Sequence, residues 1–337
     1  MRLAALVEAP DHVCCRYRLR AYADEWHRAG HSMDLFPRPR GWWPRMRLGS
    51  QLVPFDVVIL QRRLPSLLEL ASLRHRANRL VFDFDDAVFL RDSFSTKGLQ
   101  SRRRRARFSA VVRVADVVVA GNAWLAERAR AAGAAYVVVV PTCVEPALYP
   151  CSGHEPKDAG TRLVWVGSSS TLRGLERARG LLDHVGRSIR DVRLKLVCDR
   201  FASFGRLPVE SCVWRESTEA AEIAAAHVGI SWLPDDDWSR GKCGLKVLQF
   251  MAAGLPVVAN PVGVQADMVR HGETGFLATT AYEWAAAVRM FAEDPNLRRR
   301  MGAAGRARVE REYSVTCGAR SWCEILAALE HSHRAVG

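Results

Sequence analysis

Short, unbroken apolar runs recur along the chain, each followed by a stretch with helical periodicity. A strand that is apolar on both faces must be covered on both faces. Crossovers of a dozen or more residues join such strands in parallel, so the pattern predicts α/β architecture with parallel sheets. In the first half the predicted strands are Leu3–Val7, Phe55–Leu60, Arg79–Phe84, Val117–Ala120 and Tyr136–Val140. The predicted helices are Arg18–Ala29, Leu67–Ala77, Gly98–Arg113 and Asn122–Ala132. A segment rich in Pro, Gly, Ser and mixed charge, Pro146 to Gly160, reads as a linker. The pattern then restarts. Strands are predicted at Leu163–Gly167, Leu194–Cys198, Val228–Trp232 and Pro256–Ala259. Helices are predicted at Thr171–Val185, Thr218–Ala226, Ala281–Ala292, Pro295–Glu312 and Thr316–Glu330. The 337 residues suit two doubly wound domains, and ligands of such sheets bind at the carboxyl ends of strands.

Charge is distributed unevenly. Residues 1–150 carry 24 Lys and Arg against 14 Asp and Glu, whereas residues 151–337 carry 25 against 22. The first half therefore suits an anionic partner: an acidic membrane, a lipid-phosphate substrate or nucleic acid. Nucleic acid is the weakest of these, because no helix-turn-helix, zinc or aromatic-sheet pattern accompanies the charge. The nine cysteines include no C-x-x-C pair, which argues for a reducing cytoplasm and against a disulfide framework or zinc site. The first ten residues read as a strand rather than a secretory segment, and no window is long enough to span a bilayer. Membrane contact would be peripheral. The run Arg102–Arg105, with Arg107, Arg113 and the Trp42-Trp43 pair, suits an anionic headgroup layer, or else is a solvated face.

Lys242 and Lys246 stand out in a chain with 44 Arg and only 5 Lys. They flank Gly244 and Leu245 at a loop-to-helix junction, where free backbone N–H groups and the positive dipole end suit a diphosphate. Ser168, Ser169, Ser170 and Thr171 follow a strand and open a helix. They read as phosphate contacts helped by Arg173, as an N-cap, or as both. Asp83, Asp85 and Asp86 end a strand. Alternation puts Asp83 and Asp85 on one face, where one could act as a general base; the other reading is a loop closed by Asp side chains. Arg16 and Arg18 follow the first strand and could reach an anionic ligand, or else are a solvated helix start. Asn122 suits a cleft position or an N-cap.

The runs Gly254-Leu-Pro-Val-Val-Ala-Asn-Pro-Val-Gly263, His271-Gly-Glu-Thr-Gly-Phe-Leu277 and Val164-Trp-Val-Gly-Ser-Ser-Ser-Thr171 resemble the donor half of family-four glycosyltransferases of GT-B fold. In the first half, Val81-Phe-Asp-Phe-Asp-Asp-Ala-Val-Phe89 and Ala115-Asp-Val-Val-Val-Ala-Gly-Asn122 are similar to a bacterial branch of the same family. The resemblance implies two facing Rossmann-like domains. Residues 1–150 would form the acceptor side and 160–312 the donor side, with 313–330 as a helix crossing back to the first domain. It implies a nucleotide-diphosphate sugar as donor, a saccharide, lipid-linked or other glycoconjugate acceptor, transfer with retention, and no cofactor. Lys242 and Lys246 would then neutralise the leaving diphosphate without a metal. Such enzymes often carry two glutamates eight positions apart, for sugar and ribose. Here Gly241 and Gln249 stand in those places, and only Gln249 can still bond a hydroxyl. A nucleotide-sugar 2-epimerase on the same fold, or a non-catalytic sugar-nucleotide-binding partner, are the alternatives.

Overall fold

A computed structural model describes residues 1–37, 39, 41, 49–154 and 160–334. The chain divides into two units. The first comprises residues 1–143, 240–243 and 315–337, and the second residues 144–239 and 244–314.

In the first unit, β1 (Arg2–Val7), β2 (Ser32–Pro37), β3 (Val57–Gln61), β4 (Arg79–Phe84), β5 (Val117–Ala120) and β6 (Val137–Val139) form one six-stranded sheet in the order β2-β1-β3-β4-β5-β6. Every pairing is parallel, and the register sets Gln61 beside Asp83. The helices are α1 (Val13–Arg18), α2 (Ala23–Arg28), α3 (Leu67–Arg76), α4 (Arg102–Val114) and α5 (Ala123–Ala131). The single helix expected over Arg18–Ala29 is instead α1, a 3-10 turn at Arg20–Tyr22, and α2. Leu19 leaves the helix with φ −133°, and the break lets Leu19, Tyr22 and Trp26 all reach the core. The expected helix over Gly98–Arg113 starts later, at Arg102, where the Ser101 hydroxyl accepts from the Arg104 N–H.

In the second unit, β7 (Thr161–Val166), β8 (Val192–Cys198), β9 (Val209–Val213), β10 (Val228–Ser231), β11 (Val257–Ala259) and β12 (Gly275–Leu277) form a second parallel sheet, ordered β12-β11-β10-β7-β8-β9. Its helices are α6 (Ser169–Arg177), α7 (Arg179–Ser188), α8 (Glu219–Ala224), α9 (Asp237–Arg240, whose last residue falls in the first unit), α10 (Leu245–Ala252), α11 (Gln265–Met268), α12 (Ala281–Glu293) and α13 (Pro295–Glu312). The helix expected over Thr171–Val185 is two helices, parted at Ala178. This sheet reverses direction between β7 and β10: β8 and β9 follow on one side, β11 and β12 on the other. That reversal is where doubly wound sheets open a crevice at their carboxyl edge.

The last helix, α14 (Val315–Arg334), belongs to the first unit. Trp322, Ile325, Leu326 and Leu329 are buried with Leu3, Val57 and Val81, and the Trp322 ring meets Trp26 edge-on at 5.5 Å. Each such side chain contributes about 1.5–3 kcal/mol by leaving water, so this helix is part of the first unit's core. The described residues of the expected linker are pinned to the second unit. Ser152 N–H donates to Ala253 O at 2.9 Å, His154 Nε2 to Gly254 O at 2.9 Å, and Arg306 to Pro146 O at 3.1 Å.

Candidate functional site

At the carboxyl edge of the first sheet the three aspartates meet three cations. Asp83 is fully buried and gripped by the Nη2 and Nε nitrogens of Arg18, which is itself fully buried. Arg18 also donates to Val140 O. Complete burial pushes the Asp83 carboxyl above the usual carboxylate range, against the pull of Arg18. Arg62, just after β3, takes φ +54°, a conformation that costs a non-glycine residue about 1–3 kcal/mol and persists where surroundings enforce it. From there its guanidinium forks onto Asp85 at 3.3 Å and Asp86 at 2.7 Å. It also contacts the Cys14 thiol. Burial works to raise Asp85, but Arg62, Arg18 and Lys242 together outweigh it and hold its carboxyl below the usual range. Lys242 closes the cluster with Nζ 2.9 Å from Asp86.

The segment 240–243 is held to this edge by side chains that local sequence does not pair. Asn122 caps α5 by accepting from Leu125 N–H at 2.8 Å, and its amide donates to Lys242 O at 3.1 Å. The Cys243 thiol donates to Asp85 O at 3.2 Å. Gly121 makes this approach possible, because a Cβ there would lie 2.4 Å from Cys243 Sγ.

The structure places the sequence-predicted residues as follows. Asp83 and Arg18 are sealed together as a buried ion pair, and leaving either without its partner is costly. Asp83 and Asp85 share no ligand; each faces its own guanidinium. Asn122 spends its amide internally and is 5% exposed. Lys242 points at Asp86, so its charge is met within the first unit. Arg16 is half-buried, with its guanidinium 4.8 Å from the Tyr17 ring centre. Among the described residues no group of three or more His, Cys, Asp or Glu is placed to share a metal ion. Trp42 and Trp43 lie outside the described residues.

The second unit gathers its candidates at the β7/β10 reversal. Gly244 adopts φ +68° and caps α10; a Cβ there would lie 2.4 Å from Met268 Sδ. The left-handed turn and the missing side chain let α10 present its first N–H groups, near Leu245 and Lys246, at the sheet edge. Lys246 lays its ammonium 4.4 Å over the Trp165 ring. Trp165 is the penultimate residue of β7, so this contact joins the start of α10 to the turn Gly167–Thr171. In that turn Ser168 N–H donates to Thr171 Oγ1 at 3.1 Å. Asp199 accepts from Ser169 N–H at 2.5 Å and from its hydroxyl at 2.8 Å, and these Ser169 bonds hold its carboxyl below the usual range. Ser168 and Arg173 are exposed. Gln249, expected to contact ribose, is 2% exposed and donates to Tyr149 Oη at 3.2 Å. Gly241, its companion, is buried in the first unit's strap.

Arg62, Trp165, Asp199 and Tyr149 were not singled out from sequence. Only Arg62 gave a local signal, as a cation directly after an apolar strand.

Two six-stranded parallel sheets with flanking helices are the architecture of the GT-B fold. Residues 237–308 match the family model "Glycosyl transferases group 1". Over 94 residues, 27% of this chain and 21% of the other, it is 39% identical to the D-inositol 3-phosphate glycosyltransferase of Streptomyces scabiei. Over 64 residues, 19% of this chain and 12% of the other, it is 41% identical to the GDP-Man:Man(3)GlcNAc(2)-PP-Dol alpha-1,2-mannosyltransferase of Dictyostelium discoideum. The match thus spans 21% and 12% of the length of these two curated relatives. Among solved structures, sucrose-phosphate synthase from Thermosynechococcus elongatus superposes with TM-score 0.71 at 18% identity, covering 98% of this chain and 99% of that one. Anabaena Alr3699/HepE in complex with UDP-glucose gives TM-score 0.71 at 16% identity, covering 97% and 100%. At such identities the structures establish the fold.

Proposed function

We propose that the protein transfers a sugar from a nucleotide-diphosphate sugar to a saccharide, lipid-linked or other glycoconjugate acceptor. In this reading the donor diphosphate is held by the second unit at the β7/β10 reversal. The carrying observation is the convergence there of the Gly167–Thr171 turn, the start of α10 and the ammonium of Lys246. Loss of the diphosphate leaves concentrated negative charge. Fixed N–H groups and a cation aimed at it stabilise the transition state without reorganisation. Lys246 and the α10 amides carry this charge, with Ser168, Thr171 and Arg173 along the phosphates. Lys242 sets the strap before α10 rather than binding the donor directly. The reading takes transfer as retaining and metal-independent. Its setting is the cytoplasm, in keeping with nine free cysteines; among the described residues no helix is long and apolar enough to cross a membrane.

One observation favours a second reading. Gly241 offers no side chain and Gln249 is occupied by Tyr149, so a protein that binds sugar nucleotide without turnover also fits. Thermal shift against a panel of UDP-, GDP- and ADP-sugars tests the site. UDP-glucose is the first probe, because it is the ligand of the Alr3699/HepE complex. A ligand selective for the native state raises apparent stability. Stabilisation lost in Lys246→Ala supports the donor site; no stabilisation by any nucleotide sugar rejects it. Mass analysis of a stabilising mixture then separates transfer from donor epimerisation and from binding alone.

A further inference from the structure

The helices α3 and α4 follow neighbouring parallel strands, β3 and β4, so both begin at the same carboxyl edge of the first sheet. Arg107 of α4 donates to Leu64 O at 3.3 Å, which ties α4 to the turn that leads into α3. Two features therefore share one surface. Leu67 and Leu68 open α3 with 65% and 72% of their surfaces exposed. They do not pack on the core, which takes Leu70 and Leu73 from this helix. Beside them, α4 carries six Arg and no acidic residue in 13 positions. Arg104 is used internally, donating to Leu90 O at 2.7 Å. Arg102, Arg103 and Arg105 are exposed and make no ion pair among the described residues. Glu69, the one carboxylate in the first turn of α3, is committed to the Ser66 N–H at 2.7 Å.

We propose that Leu67, Leu68, Arg102, Arg103 and Arg105 form a surface that docks on an anionic lipid bilayer. Adjacent apolar and cationic groups match the layered chemistry of a headgroup boundary, where guanidiniums meet phosphates and leucines enter the acyl region. Four guanidiniums in the first turn of a helix are also unfavourable without an external anion, since the dipole is positive there. A nucleic-acid strand would use the arginines but give two adjacent leucines no partner. The inference stands apart from the sugar-transfer reading and uses none of its residues.

The test is flotation of the whole protein with vesicles of phosphatidylcholine mixed with phosphatidylglycerol, against phosphatidylcholine alone. The wild type is expected to float only with the anionic vesicles, and less as salt rises. Each basic side chain near such a surface is worth about fivefold in partition, so Arg102→Gln, Arg103→Gln and Arg105→Gln together should lower it roughly 100-fold. Leu67→Ser with Leu68→Ser should weaken binding to anionic vesicles while leaving its salt dependence in place. All five side chains are exposed, so an unchanged melting temperature in both variants confirms folding. The proposal is overturned if the wild type does not float with anionic vesicles, or if the triple variant floats as well as it does. It is also overturned if the Leu variant binds unchanged, while RNA binding depends on the three arginines, which would make the surface a nucleic-acid site.

Discussion

The two sheets share one plan, six parallel strands with helices returning along them, yet their carboxyl edges are finished in opposite ways. In the first unit the polar groups at the edge are turned inward: Arg18 on Asp83, and Arg62 on Asp85 and Asp86, with Lys242 completing the set. In the second, Ser168 and Arg173 stay exposed and Lys246 lies over the Trp165 ring. The same fold thus gives one edge where charged side chains pair with each other and another where polar side chains stay exposed.

The largest effect that would test this contrast is at Arg18. Arg18→Met leaves Asp83 buried without its partner and should cost about 3–5 kcal/mol in urea unfolding. A loss below 1 kcal/mol would mean the ion-paired edge does not hold the unit together. Lys246→Ala should do the reverse. Its stability should stay within about 0.5 kcal/mol, while titration calorimetry should show the donor bound about 10- to 100-fold more weakly, as for a lost bond to a charged group. Gly121→Ala should destabilise by about 1–3 kcal/mol through overpacking on Cys243. Combining it with Cys243→Ala should recover part of that loss, and simple additivity would argue against the contact. The smallest effect is in pH dependence. Asp85 is held below its ordinary value, so its contribution is present above about pH 4 and lost as pH falls through the folded value. Asp85→Asn should therefore flatten the acid limb of the stability curve, and an unaltered limb would show that Arg62 does not favour the charged form.

Element positions were legible where local pattern suffices. Arg79–Phe84, Val117–Ala120 and Pro295–Glu312 were read with their observed bounds, because continuous apolar runs and a helix opened by Asp294 and Pro295 signal themselves. The strands Ser32–Pro37, Val209–Val213 and Gly275–Leu277 were not read. Each lies at a sheet edge, and the first two are half-buried at most. An edge strand needs no continuous apolar sequence, so it leaves little trace.

Sequence alone determined that this chain builds two parallel sheets, and that a glycine-led helix start with Lys246 follows a strand of the second. Those are properties of neighbours a few residues apart, where backbone preference and burial act. Tertiary structure decided the meaning of the aspartates and of Lys242. The partners of Asp83 and Asp86 lie 65 and 24 residues away for the arginines, and 156 for the lysine. Whether a carboxylate serves chemistry or fills an ion pair depends on which cation the folded backbone brings within 3 Å or so of it, and no local pattern records that distance.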